Sequence, residues 1–292
     1  MVRCHYVPQS YMKAWNITEK QTIRLDKKTG HLKKASIESF CAEEDFFCFN
    51  DDDLKGLPSS LLHFSPPANV LVPSDLKYIN KPWLEKTICS YIEGPISLIL
   101  TSIRDQKSLK NISESDMIFL LKWICWLFVA NPGSQAIETI NNTLGYNAYN
   151  ENVKQLPKRE QFEFYFHLRD ELEPYFVKRK WLLQLVDSSD GPILTNDRPV
   201  MVKGPSLSEK SHLADNIIYF PISPDLLLVG LKNHEWGYTY LPQESRKEAG
   251  ILVTILVYDQ ANRFVFGRDF QALHNLFDLY RQELDKAAMG GP

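Results

Sequence analysis

The chain has 292 residues, 44% of them hydrophobic and 12% aromatic, with a formal net charge of -3. That is ample for a sizeable core, as one large domain or two small ones. The balance gives no overall basic field of the kind that advertises nucleic acid, although a local basic patch stays possible. Five cysteines, Cys4, Cys41, Cys48, Cys89 and Cys125, are scattered with no CxxC pair, which argues against a zinc framework and for free thiols in a reducing compartment. Met1–Tyr11 has no apolar stretch of signal-peptide type. The most apolar window, Met117–Ala130, is shorter than the roughly 20 residues of a membrane span and contains Lys122. The expectation is a soluble cytoplasmic protein with no membrane partner.

In chain order, residues 1–50 read as short strands and turns. His5–Trp15 carries Tyr6, Tyr11 and Trp15. Thr22–Leu25 and Leu32–Ala35 flank the turn Asp26-Lys27-Lys28-Thr29-Gly30 and predict a hairpin. Asp51–Pro82, rich in Asp, Pro and Ser, reads as an irregular connection. Trp83–Ile103 predicts a helix: Ile88, Ile96, Ile99 and Ile103 fall within about 40° of Ile92 on a helical wheel. Glu85 lies on that stripe, about 20° from its centre, and Glu93 on its flank. A carboxylate inside an apolar stripe must be paired, ligated or protonated. Gly94-Pro95 predicts a kink.

Ser113-Glu114-Ser115-Asp116 opens a helix that runs to Ala130, apolar almost all round and therefore central. Asn131-Pro132-Gly133 breaks it, and Ser134–Thr143 continues as helix. Lys158–Leu172 predicts another helix, ended by Pro174. The period then changes. Trp181–Val186, Ile193–Thr195, Val200–Val202, Ile217–Ile222, Leu226–Leu231 and Ile251–Tyr258 predict strands. Asn262–Phe266 reads as a further strand or a helix start, and Asp269–Lys286 as an amphipathic helix. Helices in the middle and strands after them predict an α+β fold, a helical bundle packed on a mostly antiparallel sheet from the N-terminal and C-terminal segments. The chain reads as one domain: an irregular connection at about 51–82, a helical middle at 83–173, a strand-rich part at 181–268 and a helix at 269–287.

Several stretches together resemble the family known as domain of unknown function 4238. They are HYVPQSYMKAW, WLEKTICSYIEGP, WLLQLVDSSDGPILTNDRPV, IIYFPISPDLLL and ILVTILVYDQANRFVFGR. They span nearly the whole chain. The resemblance implies a single α+β domain in a microbial or viral cytosolic protein, and a role in conflict between microbes and their viruses fits the family's habits. One departure stands out. Members often carry an Arg two places before a Pro at the end of the central helix, where this chain has Ala130-Asn131-Pro132. Any anion grip would then come from elsewhere, with Arg198 and Arg263 as candidates.

The candidate site residues follow. His5, in the HxxPQ stretch with Gln9, reads as a general base or metal ligand, or as a histidine tying the N-terminus to the core. Asp197 reads as a ligand or base at a strand end, with Asn196 as a hydrogen-bonding neighbour. The alternative for Asn196-Asp197-Arg198-Pro199 is an Asx turn closed by proline. Glu85 reads as a site carboxylate or a buried ion pair, and Glu93 as a second carboxylate or a solvated flank. No P-loop, GxGxxG, GxSxG or HExxH occurs.

Two functions compete. In the first, His5, Glu85, Glu93 and Asp197 converge on Mg²⁺ or Mn²⁺, which suit oxygen-rich ligands, in a metal-dependent hydrolase of nuclease type. In the second, the same residues form a structural knot in a binding or interaction protein, such as a regulator, inhibitor or sensor. In either case the expected partner is nucleic acid or a protein.

Overall fold

The structure, a computed structural model, describes residues 3–5, 7–39, 42–44, 92–130, 134–148, 151–156, 158–186, 191–204, 212–231 and 253–289. The expected α+β architecture is present. Every strand pair among the described residues is antiparallel. Strand β1 (Arg3–His5) pairs with β4 (Ala42–Glu44), placing His5 opposite Ala42. One four-stranded sheet joins the two ends of the chain. Its order is β3 (Leu32–Ser36), β2 (Gln21–Asp26), β10 (Phe264–Gly267), β6 (Thr195–Asn196). The other is built from the second half alone, in the order β5 (Trp181–Leu185), β9 (Leu226–Gly230), β8 (Ile217–Ser223), β7 (Met201–Lys203).

The second sheet is the middle layer. Along β8 and β9, Phe220, Ile222, Leu226 and Leu228 belong to one hydrophobic cluster, while Tyr219, Leu227 and Val229 belong to the other. Successive side chains on a strand point to opposite faces, so a sheet covered on both sides reads as an unbroken apolar run. The first cluster holds five of the helices. They are α1 (Gln9–Met12), α2 (Gly94–Gln106), α3 (Glu114–Ala130), α4 (Ser134–Leu144) and α5 (Lys158–Val177). Helix α3 is the central one as expected, buried from Phe119 to Ala130 except Lys122. Its N-terminus is capped by Ser113, whose Oγ accepts the Asp116 N–H at 3.1 Å. Cys125, at its centre, is a free buried thiol. No helix among the described residues is long and apolar enough to cross a membrane.

Two expectations are corrected. The run Ile251–Tyr258 does not form a strand: residues 253–260 are helical, here α6. Val253, Leu256 and Val257 are buried and Ile255 is exposed. That spacing fits one helical face, and a short apolar run alone does not reveal it. Helix α5 does not end at Pro174 but continues to Val177 with Pro174 inside it. Pro174 is exposed, while Leu172 and Phe176 are fully buried and Phe176 packs on Phe128 at 5.7 Å between ring centroids. Packing on both sides of the proline outweighs the lost backbone hydrogen bond. Pro95 lies in the first turn of α2, where proline is tolerated, just after a π turn at Ile92 and Glu93, and the stretch 83–91 against which a kink was expected lies outside the described residues. The hairpin β2–β3 is as expected. Its Gly30 has φ +68°, and a Cβ there would stand 2.5 Å from the Phe277 ring of the last helix, α7 (Phe270–Met289).

Arg179 ties the helical layer to the middle sheet. It is buried, and its guanidinium donates to the carbonyls of Tyr175 (3.0 Å), Gly230 (3.2 Å), Leu231 (3.1 Å), Asn216 and Leu213. One planar cation thus satisfies carbonyls from the end of α5, the approach to β8 and the end of β9. Lysine cannot reproduce this fork. Arg179→Lys is expected to lose about 3 kcal/mol in urea unfolding, and a wild-type midpoint would refute the clamp.

Candidate functional site

The strand end Thr195–Arg198 is the polar centre of the described structure. Thr195, Asn196 and Asp197 are buried to 1% exposure or less, although three consecutive polar residues would ordinarily seek water. Each has its own partners. Tyr11 Oη and Thr195 Oγ1 are 2.8 Å apart. Asn196 donates from Nδ2 to the Val257 carbonyl at 2.6 Å, and its Oδ1 accepts the Arg198 N–H at 2.8 Å, closing an Asx turn. Asp197 Oδ1 accepts the Asn262 N–H at 2.8 Å, and Oδ2 accepts those of Arg263 at 2.9 Å and Phe264 at 3.2 Å. The Asp197 N–H donates in return to the Phe264 carbonyl at 3.2 Å. Burial pushes the Asp197 carboxyl above the usual carboxylate range, and the three backbone donors pull against that rise.

The segment 257–264, from the last turn of α6 to the start of β10, is also held from the hairpin. Asp26, on the last position of β2, accepts from Arg263 Nε at 3.0 Å and Nη2 at 2.9 Å, and from the Lys28 N–H at 3.0 Å. Lys27 Nζ donates to the carbonyls of Ala261 (3.0 Å) and Asp259 (3.3 Å) and stands 4.8 Å from the Tyr258 ring centroid. It caps the C-terminus of α6, where a cation is favoured. Burial lowers the Lys27 pKa, and the nearby Asp259 and Asp197 oppose that.

On the other side the N-terminal segment plugs into the same strand end. Tyr11 and Trp15 are fully buried. Trp15 Nε1 donates to the Ile193 carbonyl at 2.9 Å, and Thr22 Oγ1 donates to the carbonyl of Trp15. Arg104, from the last turn of α2, donates to the Tyr11 carbonyl at 3.1 Å and the Ile222 carbonyl at 2.9 Å. Tyr11 stacks among Trp15, Trp123 and Phe220 with centroids 5.0, 6.4 and 5.2 Å away. Tyr11 therefore touches the N-terminal segment, α2, α3, the middle sheet and the strand end.

Of the residues singled out in the sequence, the structure brings Asn196, Asp197, Arg198 and Arg263 into one cluster. Arg263 takes part through its N–H on Asp197 and its guanidinium on Asp26. Gln9 is half-buried at the start of α1, two residues from Tyr11. Glu93 is half-buried at the turn leading into α2, and α1 packs on that helix. Of His5 the backbone position in β1 is described, and Glu85 lies outside the described residues. Among the described residues no three His, Cys, Asp or Glu side chains are placed to hold a metal ion together. Sequence reasoning missed Asp26, Lys27 and Arg104 as partners. The first two stood in what read only as a turn, and the third at the end of a helix. Tyr11 and Trp15 carried a signal, aromatic residues four apart in a segment too short to bury them alone.

Two outcomes follow from this geometry. Asp197→Ala removes a buried carboxylate and leaves three part-buried N–H groups without that acceptor, so unfolding should lose about 3 kcal/mol. Urea denaturation at the wild-type midpoint would show that the nest does not hold the fold. For Asp26, burial raises the carboxyl, but the bond from Arg263 and the Lys28 N–H outweigh it and hold its pKa below the ordinary carboxylate value. Its folded pKa is depressed, so its stabilisation is present above the unfolded value of about 3.9 and is lost as pH falls through the folded value. The melting difference between wild type and Asp26→Asn should be present at pH 7 and shrink below about pH 4. A difference that does not change with pH would count against the ion pair.

Comparison with known proteins bears on the whole chain. No curated protein and no solved structure matches it. A family model described as protein of unknown function (DUF4238) matches residues 3–270, from β1 to the first residue of α7. The chain therefore belongs to the DUF4238 family.

Proposed function

We propose that this chain works by binding, as a regulator, inhibitor or sensor of another molecule, and that the polar residues around Asp197 are a structural knot. The observation that carries this reading is the state of the Asp197 carboxylate. It is 1% exposed, and both its oxygens accept backbone N–H groups. A metal ligand or general base needs an oxygen lone pair aimed at an open position within reach of substrate. Asp197 instead meets the demands of a buried carboxylate, as the acceptor for a chain reversal between α6 and β10.

A second reading is supported by the packing of α1 on α2, which makes neighbours of the helix that Gln9 opens and the helix that Glu93 precedes. In that reading the protein is a metal-dependent hydrolase, nuclease-like, in which His5, Glu85 and Glu93 hold Mg²⁺ or Mn²⁺ and Asp197 only braces the fold. A cytoplasmic role in microbe–virus conflict, which the family's habits suggest, is compatible with either.

One pair of measurements separates them: the melting temperature with and without Mn²⁺, and incubation with single-stranded and duplex nucleic acid. The binding reading expects no Mn²⁺-dependent shift and no cleavage. A site-bound metal would stabilise by RT ln(1 + [L]/Kd). A shift that follows this law and disappears in Glu93→Gln, together with cleavage, would overturn the binding reading in favour of the hydrolase.

A further inference from the structure

The two four-stranded sheets have four edges, and three are protected. Edge β6 is only two residues long. Edge β3 carries exposed Lys33 and Lys34. Edge β7 is closed by a side chain that imitates a strand: Gln260 Oε1 accepts the Val202 N–H at 3.1 Å, and its Nε2 donates to the Val202 carbonyl at 2.6 Å. Short edges, edge lysines and covering groups are the usual protections against strand addition.

Among the described residues edge β5 has none of them. Its sequence is Trp181-Leu182-Leu183-Gln184-Leu185, with no charge, no proline and no bulge, and Leu185 is 46% exposed. The hydrogen-bond phase sets which backbone groups face outward. The Leu231 N–H donates to the Lys180 carbonyl and the Val186 N–H to that of Asp225. Bonded pairs alternate along an antiparallel ladder, so Leu182 and Gln184 also bond to β9. The N–H and C=O groups of Trp181, Leu183 and Leu185 therefore point away from the sheet, and no described strand pairs with them. Gln184 Nε2 is shielded from solvent with no hydrogen-bond partner among the described residues.

We propose that β5 is a docking edge for a second copy of this chain, which pairs antiparallel with it about a two-fold axis at Leu183. The open groups lie symmetrically about that residue, so Trp181 of each copy bonds to Leu185 of the other and Leu183 bonds to Leu183. An isologous contact needs this self-complementarity. Charge favours the same occupant. Lys178 and Lys180 precede the strand in sequence, and Asp187 and Asp190 follow it. In an antiparallel alignment the basic stretch that precedes the strand in one copy is matched in sequence with the acidic stretch that follows it in the other. The two middle sheets then form one continuous eight-stranded sheet, four strands from each copy. A five-residue seam is small beside the roughly 1,200–2,000 Å² of stable interfaces, so the dimer is reversible.

The test is sedimentation velocity on the full chain from about 5 to about 500 μM, the range in which a small interface dissociates, with amide exchange read residue by residue. A concentration-dependent dimer is expected. Leu185→Pro removes an outward N–H and leaves the β9 ladder intact, so it should weaken the dimer about tenfold or more. In wild type, the Trp181, Leu183 and Leu185 amides should gain protection as concentration rises. A chain that stays monomeric across the range overturns the proposal, as does a dimer in which those amides remain unprotected. A monomer whose β5 amides become protected only by an added extended peptide would also overturn it, by assigning the edge to a different partner. The exchange readout holds even if Leu185→Pro fails to fold.

Discussion

Asp197 accepts three backbone N–H groups from residues 262–264, and much of the fold depends on that contact. A chain reversal between a helix and a strand leaves donors without partners, and burying them unpaired is costly. Asp197 meets them with a charge buried for the purpose. Its carboxylate fixes the point where α6 gives way to β10, and β10 is the strand between β2 and β6 that joins the two ends of the chain.

Around that contact the hairpin turn and the N-terminal segment act from opposite sides. Asp26 and Lys27 grip the same reversal from the end of β2, through Arg263 and through the last carbonyls of α6. Tyr11 and Trp15 hold the other flank of the strand end at Thr195 and Ile193. These two aromatics have no core of their own. They are buried only because α2, α3 and the middle sheet close over them, with Arg104 taking the Tyr11 carbonyl. A polar centre held largely by hydrogen bonds from distant parts of the chain specifies one arrangement more sharply than apolar packing does.

This bears on function. The buried polar residues that drew attention in the sequence are the types that build catalytic sites, and they are also what a braced chain reversal requires. The geometry of Asp197 favours the second use. The sheet edge at β5, unremarkable in sequence, has outward backbone groups that no described strand pairs with, and no protecting device among the described residues. Interaction is thus better supported on a backbone edge than chemistry is at the polar centre.

Much of the architecture was legible in the residues. Alternation and turn chemistry marked the β2–β3 hairpin, a small-residue cap and acids marked the start of α3, and unbroken apolar runs marked β8 and β9. These features are local, because the spacing of side chains along a strand or helix repeats within a few residues. Two elements escaped local reading. Residues 253–260 have the composition of a strand but form a helix, because Val253, Leu256 and Val257 meet one surface. Helix α5 runs through Pro174 because Phe176 is needed against Phe128. The role of Asp197 was the least legible of all. Sequence determined that an acid would stand at the end of this strand. Only tertiary structure decided that its partners are backbone N–H groups more than sixty residues away, since a backbone donor has no sequence signature.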